Sequence, residues 1–405
     1  MELDITLLLV GFAIVLAFFA GKLANRIRLP AVVGYIITGV LLGPSLISVF
    51  DSSTISSMDI VADIALAFVA FTIGSELRRE IFTKVGKGIL LIILAESLCA
   101  FVFVAACVYM LTGDWPLSLI LGAIAPASAP AGTLVVLQEF RARGPLTTSL
   151  LAVVGLDDGL GIIIYAFAAA AARTFFKGAG STSVVGHIGT AFVETLGAIG
   201  LGAALAILLI IITRRIRSRN DILIISVAVV LVCAGLCNLF HVSLILSNLV
   251  LGALAINLSW RAGQRSYDAL QSVTPPIYVL FFVLAGAHLN VTLLYAMGLI
   301  GIVYVVARVT GKLFGAYVSS RFTRVPDVVR KYLWLGIVSQ AGVAIGLALL
   351  VLKEFSSFGE EGKQLSILVI NTVAATTLIF EIIAPITTKL AIGLAGEIGK
   401  ADVKE

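Results

Sequence analysis

Charged residues are scarce in this chain: Asp, Glu, Lys and Arg make up 13% of 405 residues, about half of what a water-soluble domain carries. That scarcity excludes an ordinary cytosolic enzyme. With 60% hydrophobic residues, intrinsic disorder is excluded as well. Cysteine is sparse too, with Cys99, Cys107, Cys233 and Cys237 all inside apolar runs. Cys233 and Cys237 share a helical face, but no histidine or acid stands at zinc-site spacing, so they read as small core- or lipid-facing residues. A basic leader segment is missing: the first apolar run follows Glu2 and Asp4, and no cleavable signal peptide is expected. No nucleophile–base set, phosphate loop or metal motif stands out, so neither an enzyme nor a cofactor is expected. The net charge is +5, but the placement of the charges matters more than their sum, and nucleic acid is not an expected partner.

What is present is a series of apolar runs long enough to cross a bilayer. Hydropathy separates thirteen candidate spans, near 5–22, 30–48, 58–76, 88–111, 116–138, 145–172, 186–213, 221–239, 242–258, 275–289, 291–319, 332–352 and 364–390. These predict an all-α polytopic membrane protein, with a lipid bilayer as its surroundings. Taken alternately, one set of loops collects nearly all the basic residues, including Arg78, Arg79, Arg214, Arg215, Arg217, Arg219, Arg324 and Arg330. The opposite set holds only Arg173, Lys177, Lys353 and Lys363. Basic loops stay cytoplasmic, so the N-terminus is expected outside and the C-terminus inside.

The two halves echo one another. Span three ends Gly74-Ser-Glu-Leu77 and span ten ends Gly286-Ala-His-Leu289; span five carries Ala125-Pro-Ala-Ser-Ala-Pro130-Ala-Gly132-Thr133 and span twelve Ser339-Gln-Ala-Gly342. Both pairs lie seven spans apart, and an odd offset means that the second copy is inverted. Pro126, Pro130 and Gly132 break helical hydrogen bonding at membrane depth. Such backbone persists where it lines a cavity or crosses another broken helix.

A few charges remain within the membrane. Asp157 and Asp158 sit near the middle of span six, where two carboxylates are costly unless they face a cavity or partners. Adjacent helical residues point about 100° apart, so the two acids serve different neighbours. A carboxylate that holds either a proton or a small cation, but not both, couples two fluxes. Once Lys22 and Lys389 at span edges are counted with the loops, Arg308 and Lys312, one turn apart in span eleven, are the only basic residues placed within the membrane. Arg308 is the natural counter-charge for Asp157 or Asp158; Lys312 is the alternative, or snorkels to the surface. Glu96 is an accessory candidate, and Asp63, Glu194 and Glu381 read mainly as structural. His187, His241 and His288, near span ends on the outer side, read as packing residues, and Trp115, Trp260 and Trp334 as interface anchors.

The segment Leu29-Pro-Ala-Val-Val-Gly-Tyr-Ile-Ile-Thr-Gly-Val-Leu-Leu-Gly-Pro44, the Asp157-Asp158 pair and Glu381-Ile-Ile-Ala-Pro385 resemble motifs of the monovalent cation:proton antiporter superfamily, and the likeness spans the whole chain. The resemblance implies an inverted-repeat fold with two crossed discontinuous helices. It implies an ion-translocation core from about 58–172 and 275–390, and a dimerisation domain from about 1–48 and 186–258. A homodimer, an elevator-like motion and a bacterial inner membrane follow as expectations. Carried over by position, Asp158 binds the transported cation (Na⁺ first, Li⁺ or K⁺ as alternatives) and the proton. Asp157 is its partner, and Arg308 falls where the family places a Lys or Arg. Ser128, Thr133, broken-helix carbonyls, Pro130, Ser339 and Gln340 line the site. A potassium-efflux channel or transporter, and an organic-anion transporter using Arg308 and Lys312, stand as alternatives.

Overall fold

A computed structural model describes residues 2–26, 31–44, 46–50, 59–77, 79–176, 184–240, 242–289, 298–340 and 342–400. His241 and the first two residues of the Leu29–Pro44 segment lie outside the described residues, as do the side chains of Pro130, His187 and Glu194. Among the described residues the chain is helical throughout: α1 (Glu2–Arg26), α2 (Ala31–Leu42), α3 (Asp59–Glu76), α4 (Arg79–Thr112), α5 (Trp115–Ile124), α6 (Pro130–Glu139), α7 (Pro145–Phe176) and α8 (Val184–Arg215). These are followed by α9 (Arg219–Phe240), α10 (Leu244–Leu258), α11 (Trp260–Gln271), α12 (Thr274–Ala287), α13 (Gly298–Phe322), α14 (Asp327–Gly336), α15 (Gly342–Phe355) and α16 (Gly359–Leu394). Among them, 7 segments are long and apolar enough to cross a membrane unaided. The remaining expected spans correspond to shorter or interrupted helices.

The chain divides into two compact units. The first comprises Met1–Phe19, Tyr35–Arg79 and Ala166–His288, and the second Ala20–Gly34, Glu80–Tyr165 and Leu289–Glu405. These boundaries differ from the division implied by resemblance, because α3 and α12 fall in the first unit.

In the first unit helices approach closely through glycines. A Cβ on Gly74 of α3 would meet the Leu249 carbonyl of α10, and one on Gly252 of α10 would meet the Phe71 carbonyl of α3. The same device recurs between α2 and α12, where Gly39 faces Val283 and Gly286 faces Ile36. Small residues let backbones touch where lipid gives helices no hydrophobic reason to associate. Span three thus pairs with span nine, and span two with span ten; spans three and ten, like spans two and nine, stand seven apart. Ala13, Ala17, Leu42, Phe50, Val279, Val283 and Ala287 form a buried apolar cluster beside the α2–α12 contact.

One stretch differs from the sequence expectation. Residues 259–274, expected as a loop, contain helix α11, bent 59° from α12. Ala262, Gly263, Ser266, Ala269 and Leu270 recur at helical spacing and are buried. Small side chains carry little hydropathy, so this stripe escapes a search for long apolar runs.

The second unit carries both interruptions. Helix α5 ends at Ile124 and α6 begins at Pro130, with Ala129 extended at φ −104°, ψ 98°. Proline at the first helical position lacks an N–H and disfavours a helical residue before it, so the break falls where the two prolines dictate. The second interruption separates α14, ending at Gly336, from α15, starting at Gly342.

Candidate functional site

The two interruptions meet. The Ala129 amide donates to Ser339 Oγ at 3.2 Å, and Ser339 Oγ returns a bond to the Ala129 carbonyl at 3.3 Å. Ser128 Oγ donates to the Ile337 carbonyl at 3.5 Å, and the Thr133 and Ser339 hydroxyls lie 3.5 Å apart. Ser128, Thr133, Ser339 and Gln340 are all buried, so four of the expected lining residues converge at this junction. Pro130 opens α6 beside it.

Broken helices leave carbonyls without partners, and Arg308 collects them. Its Nε donates to Ala125 O at 2.8 Å, Nη1 to Val338 O at 2.7 Å, and Nη2 to both Ala127 O and Ser339 O at 2.8 Å. The guanidinium is fully buried, with its carbon 4.5 Å from the Phe380 ring centroid. A planar fork with five donors fits four carbonyls splayed around a crossing; an ammonium does not.

Arg308, the first of the two expected counter-charges, thus spends its donors on carbonyls. The short ion pair to Asp157 comes from Lys312, whose Nζ lies 2.9 Å from Asp157 Oδ2 and 3.0 Å from Glu96 Oε2. The same Nζ donates to Ser128 Oγ at 2.8 Å. Lys312 is fully buried among these three partners, so it does not snorkel. Helix α13 comes close enough to α4 for this because Gly311 and Gly315 flank the lysine. A Cβ on either would run into α4 backbone around Ala95–Ala100. The spacing Gly311-x-x-x-Gly315 is the sequence signal for such close packing. Glu96, expected only as accessory, holds a central place, with Ser97 Oγ donating to its second oxygen at 2.9 Å.

The neighbouring acids face different partners, as their helical geometry requires. Asp158 Oδ1 accepts the Ser128 amide at 3.1 Å, while Asp157 turns to Lys312. Asp157 is fully buried and Asp158 is 3% exposed. Asp157 Oδ1 and Gln340 Oε1 are buried acceptors with no hydrogen-bond partner among the described residues; Gln340 Nε2 donates to Tyr304 Oη at 2.8 Å. Ser128 joins both halves of the site through its amide and its hydroxyl.

Of the lesser candidates, Glu381 is buried on α16, one residue after Phe380, and Asp63 accepts from Asn238 Nδ2 at 3.3 Å in the first unit. Glu397 was not anticipated; it is buried near the end of the described chain and bonded to the start of α7.

Residues 14–391 match the family model described as "Sodium/hydrogen exchanger, transmembrane". The chain is 27% identical over 351 residues to the Na(+)/H(+) antiporter NhaS4 of Synechocystis, an alignment covering 79% of this chain and 83% of that protein. It is also 27% identical over 168 residues to Na(+)/H(+) antiporter 1 of Methanocaldococcus jannaschii, covering 40% and 39% respectively. The fold matches the solved structure of the sodium proton antiporter MjNhaP1 from M. jannaschii at pH 8, with a TM-score of 0.78 and 18% identity over 98% of this chain and 100% of that one.

Proposed function

Since the chain belongs to the sodium/hydrogen exchanger transmembrane family, a family of integral membrane antiporters, we propose that it exchanges Na⁺, with Li⁺ or K⁺ as alternatives, for H⁺, and that Asp158 holds the two in turn. The observation that carries this reading is the charge count of the buried network. Asp157, Asp158 and Glu96 are buried in the same unit as Arg308 and Lys312, with Lys312 paired to Asp157 and Glu96. When all are ionised, three carboxylates against two cations leave a single negative charge inside the membrane. Such a charge is costly there unless neutralised, and one proton or one monovalent cation neutralises it equally well.

Lys312 is committed to Asp157 and Glu96, and Arg308 to carbonyls. Asp158 accepts the Ser128 amide at the junction of the two interruptions, which places its carboxylate where the broken-helix hydroxyls and carbonyls converge. The Ser128 and Thr133 hydroxyls, Asp157 Oδ1 and Gln340 Oε1 supply oxygen for a dehydrated cation. Ser339 and the main chain near Pro130 hold the junction in shape. An organic anion would need free donors on Arg308 and Lys312, and theirs are engaged, which weighs against that alternative.

The transport cycle follows. Asp158 releases a proton to one side, takes a cation from the same side, and a core carrying the site moves the neutralised load across in an elevator-like step. The protein works as a homodimer in a bacterial inner membrane, with the N-terminus outside and the C-terminus cytoplasmic. Asp158→Asn removes the exchangeable charge. Proteoliposomes carrying it lose Na⁺-induced dequenching of a pH-gradient dye; wild-type dequenching in this variant overturns the assignment.

A further inference from the structure

The end of the described chain is built into the connection that precedes the aspartate helix. Helix α7 starts at Pro145, so its first unsatisfied amides are those of Leu146 and Thr147. The preceding residue, Gly144, has no side chain with which to cap them. Glu397 does so from 250 residues away. Its Oε1 accepts the Leu146 amide at 2.8 Å, and its Oε2 accepts the Thr147 amide at 2.7 Å and the Thr147 hydroxyl at 2.6 Å. The carboxylate is only 2% exposed. A Cβ on Gly144 would occupy its place.

Main-chain bonds lock the same contact from both sides. The Arg143 amide donates to Glu397 O at 3.2 Å, and the Gly399 amide to Phe140 O at 3.0 Å. Gly396 and Gly399 take φ of 64° and 75°, a left-handed geometry that glycine adopts without strain. Lys389 Nζ lies 4.6 Å from the Phe140 ring centroid. Residues 140–144 join α6 to α7, so the turn at 395–399 grips the elbow between the second half of the first broken helix and the helix carrying both aspartates. Beyond one side of that elbow lies the Ser128 amide; along the other lies the Asp158 carboxylate that accepts it. The helix giving rise to the turn, α16, also places Phe380 against Arg308.

We infer that Glu397 is a positioning residue for ion exchange, fixing the register of Asp158 against the Ser128 amide by clamping the α6–α7 elbow. The inference rests on the reading of Asp158 as the exchanging group. A helix is stiff along its length, so an N-terminal shift carries to the aspartates, and misplacement on the ångström scale is enough to impair a bound ion's coordination.

The test uses the full chain in proteoliposomes with Na⁺ as the probe. Glu397→Ala and Gly144→Ala, which displaces the carboxylate without altering it, both raise the KM for Na⁺ by about tenfold, with little change in maximal rate per folded protein. Glu397→Gln, which keeps one acceptor oxygen, gives a smaller rise. An unchanged KM accompanied by a lower maximal rate or melting temperature overturns the inference, leaving Glu397 a structural cap. Amide hydrogen exchange provides a readout that does not need transport. In Glu397→Gln, peptides covering 145–150 and 126–133 both exchange faster; acceleration confined to 145–150 also overturns it. Asp158→Asn keeps the two questions apart. Full exchange in that variant fails the reading of the site, whereas unaltered exchange at 126–133 in Glu397→Gln fails the clamp.

Discussion

Arg308 and Lys312 lie one turn apart on α13, yet side-chain shape gives them separate tasks. The guanidinium fork spans four carbonyls from two interrupted helices, and the ammonium gathers two carboxylates and a hydroxyl. Removing the ammonium leaves Asp157 and Glu96 buried without a counter-charge, which costs about 3–5 kcal/mol for a buried pair. Lys312→Met should therefore lower the detergent unfolding temperature sharply, and adding Glu96→Gln should recover part of the loss. Strictly additive destabilisation in the double variant would show that the two residues do not act on one another. The identities of these residues were legible in the sequence, since charges within apolar runs are few. Their pairing was not, because the choice between Arg308 and Lys312 depends on how closely α4 approaches α13. The same gap left Glu96 undervalued and Glu397 unseen; no local pattern marks a carboxylate that caps a helix 250 residues upstream.

At the scale of elements, the interruptions were readable because proline and glycine break helices for local reasons, and both breaks occur where Pro126, Pro130 and Gly342 put them. Helix α11 was not readable from hydropathy, since its buried face is made of Ala, Gly and Ser. The glycine contacts occupy a middle ground, for the small residues are visible but their partners are not. Gly315 abuts the backbone at Ala95 and Glu96, so it sets the α4–α13 distance across which Lys312 reaches Glu96. Gly315→Ala should cost about 1–3 kcal/mol through overpacking and slow Na⁺-driven proton movement. Gly301→Ala, on the same helix with its nearest described neighbour 3.9 Å away, is the control and should leave both unchanged. Equal effects at the two positions would rule out a specific role for the α4–α13 contact.

For the molecule as a whole, the scarcity of charge now has a definite distribution. Nearly all the basic residues fall in one set of loops, and the network around Asp157 and Asp158 keeps five ionisable groups buried. With all five ionised the sum is one negative charge, and that sum bears on the energetics of the proposed exchange. If Lys312 keeps its pairing with Glu96 and Asp157 throughout the cycle, only Asp158 changes its counter-ion, and one H⁺ exchanges for one cation with no net charge moved. Membrane potential then does no work on the exchange, whereas each uncompensated charge would gain about 2.3 kcal/mol per 100 mV. The expected outcome is a Na⁺/H⁺ exchange rate in proteoliposomes that is unaltered by a potassium diffusion potential set with valinomycin, for either sign of the potential. Acceleration by one polarity and slowing by the other would mean that a second proton moves. The pair to examine would then be Lys312 and Asp157, because breaking it frees Asp157 to join the coordination. Glu96 bears on that choice: held 3.0 Å from the ammonium, it gives Lys312 a carboxylate partner when Asp157 is drawn to a cation. Loss of that partner in Glu96→Gln should make the exchange more sensitive to potential than it is in the wild type.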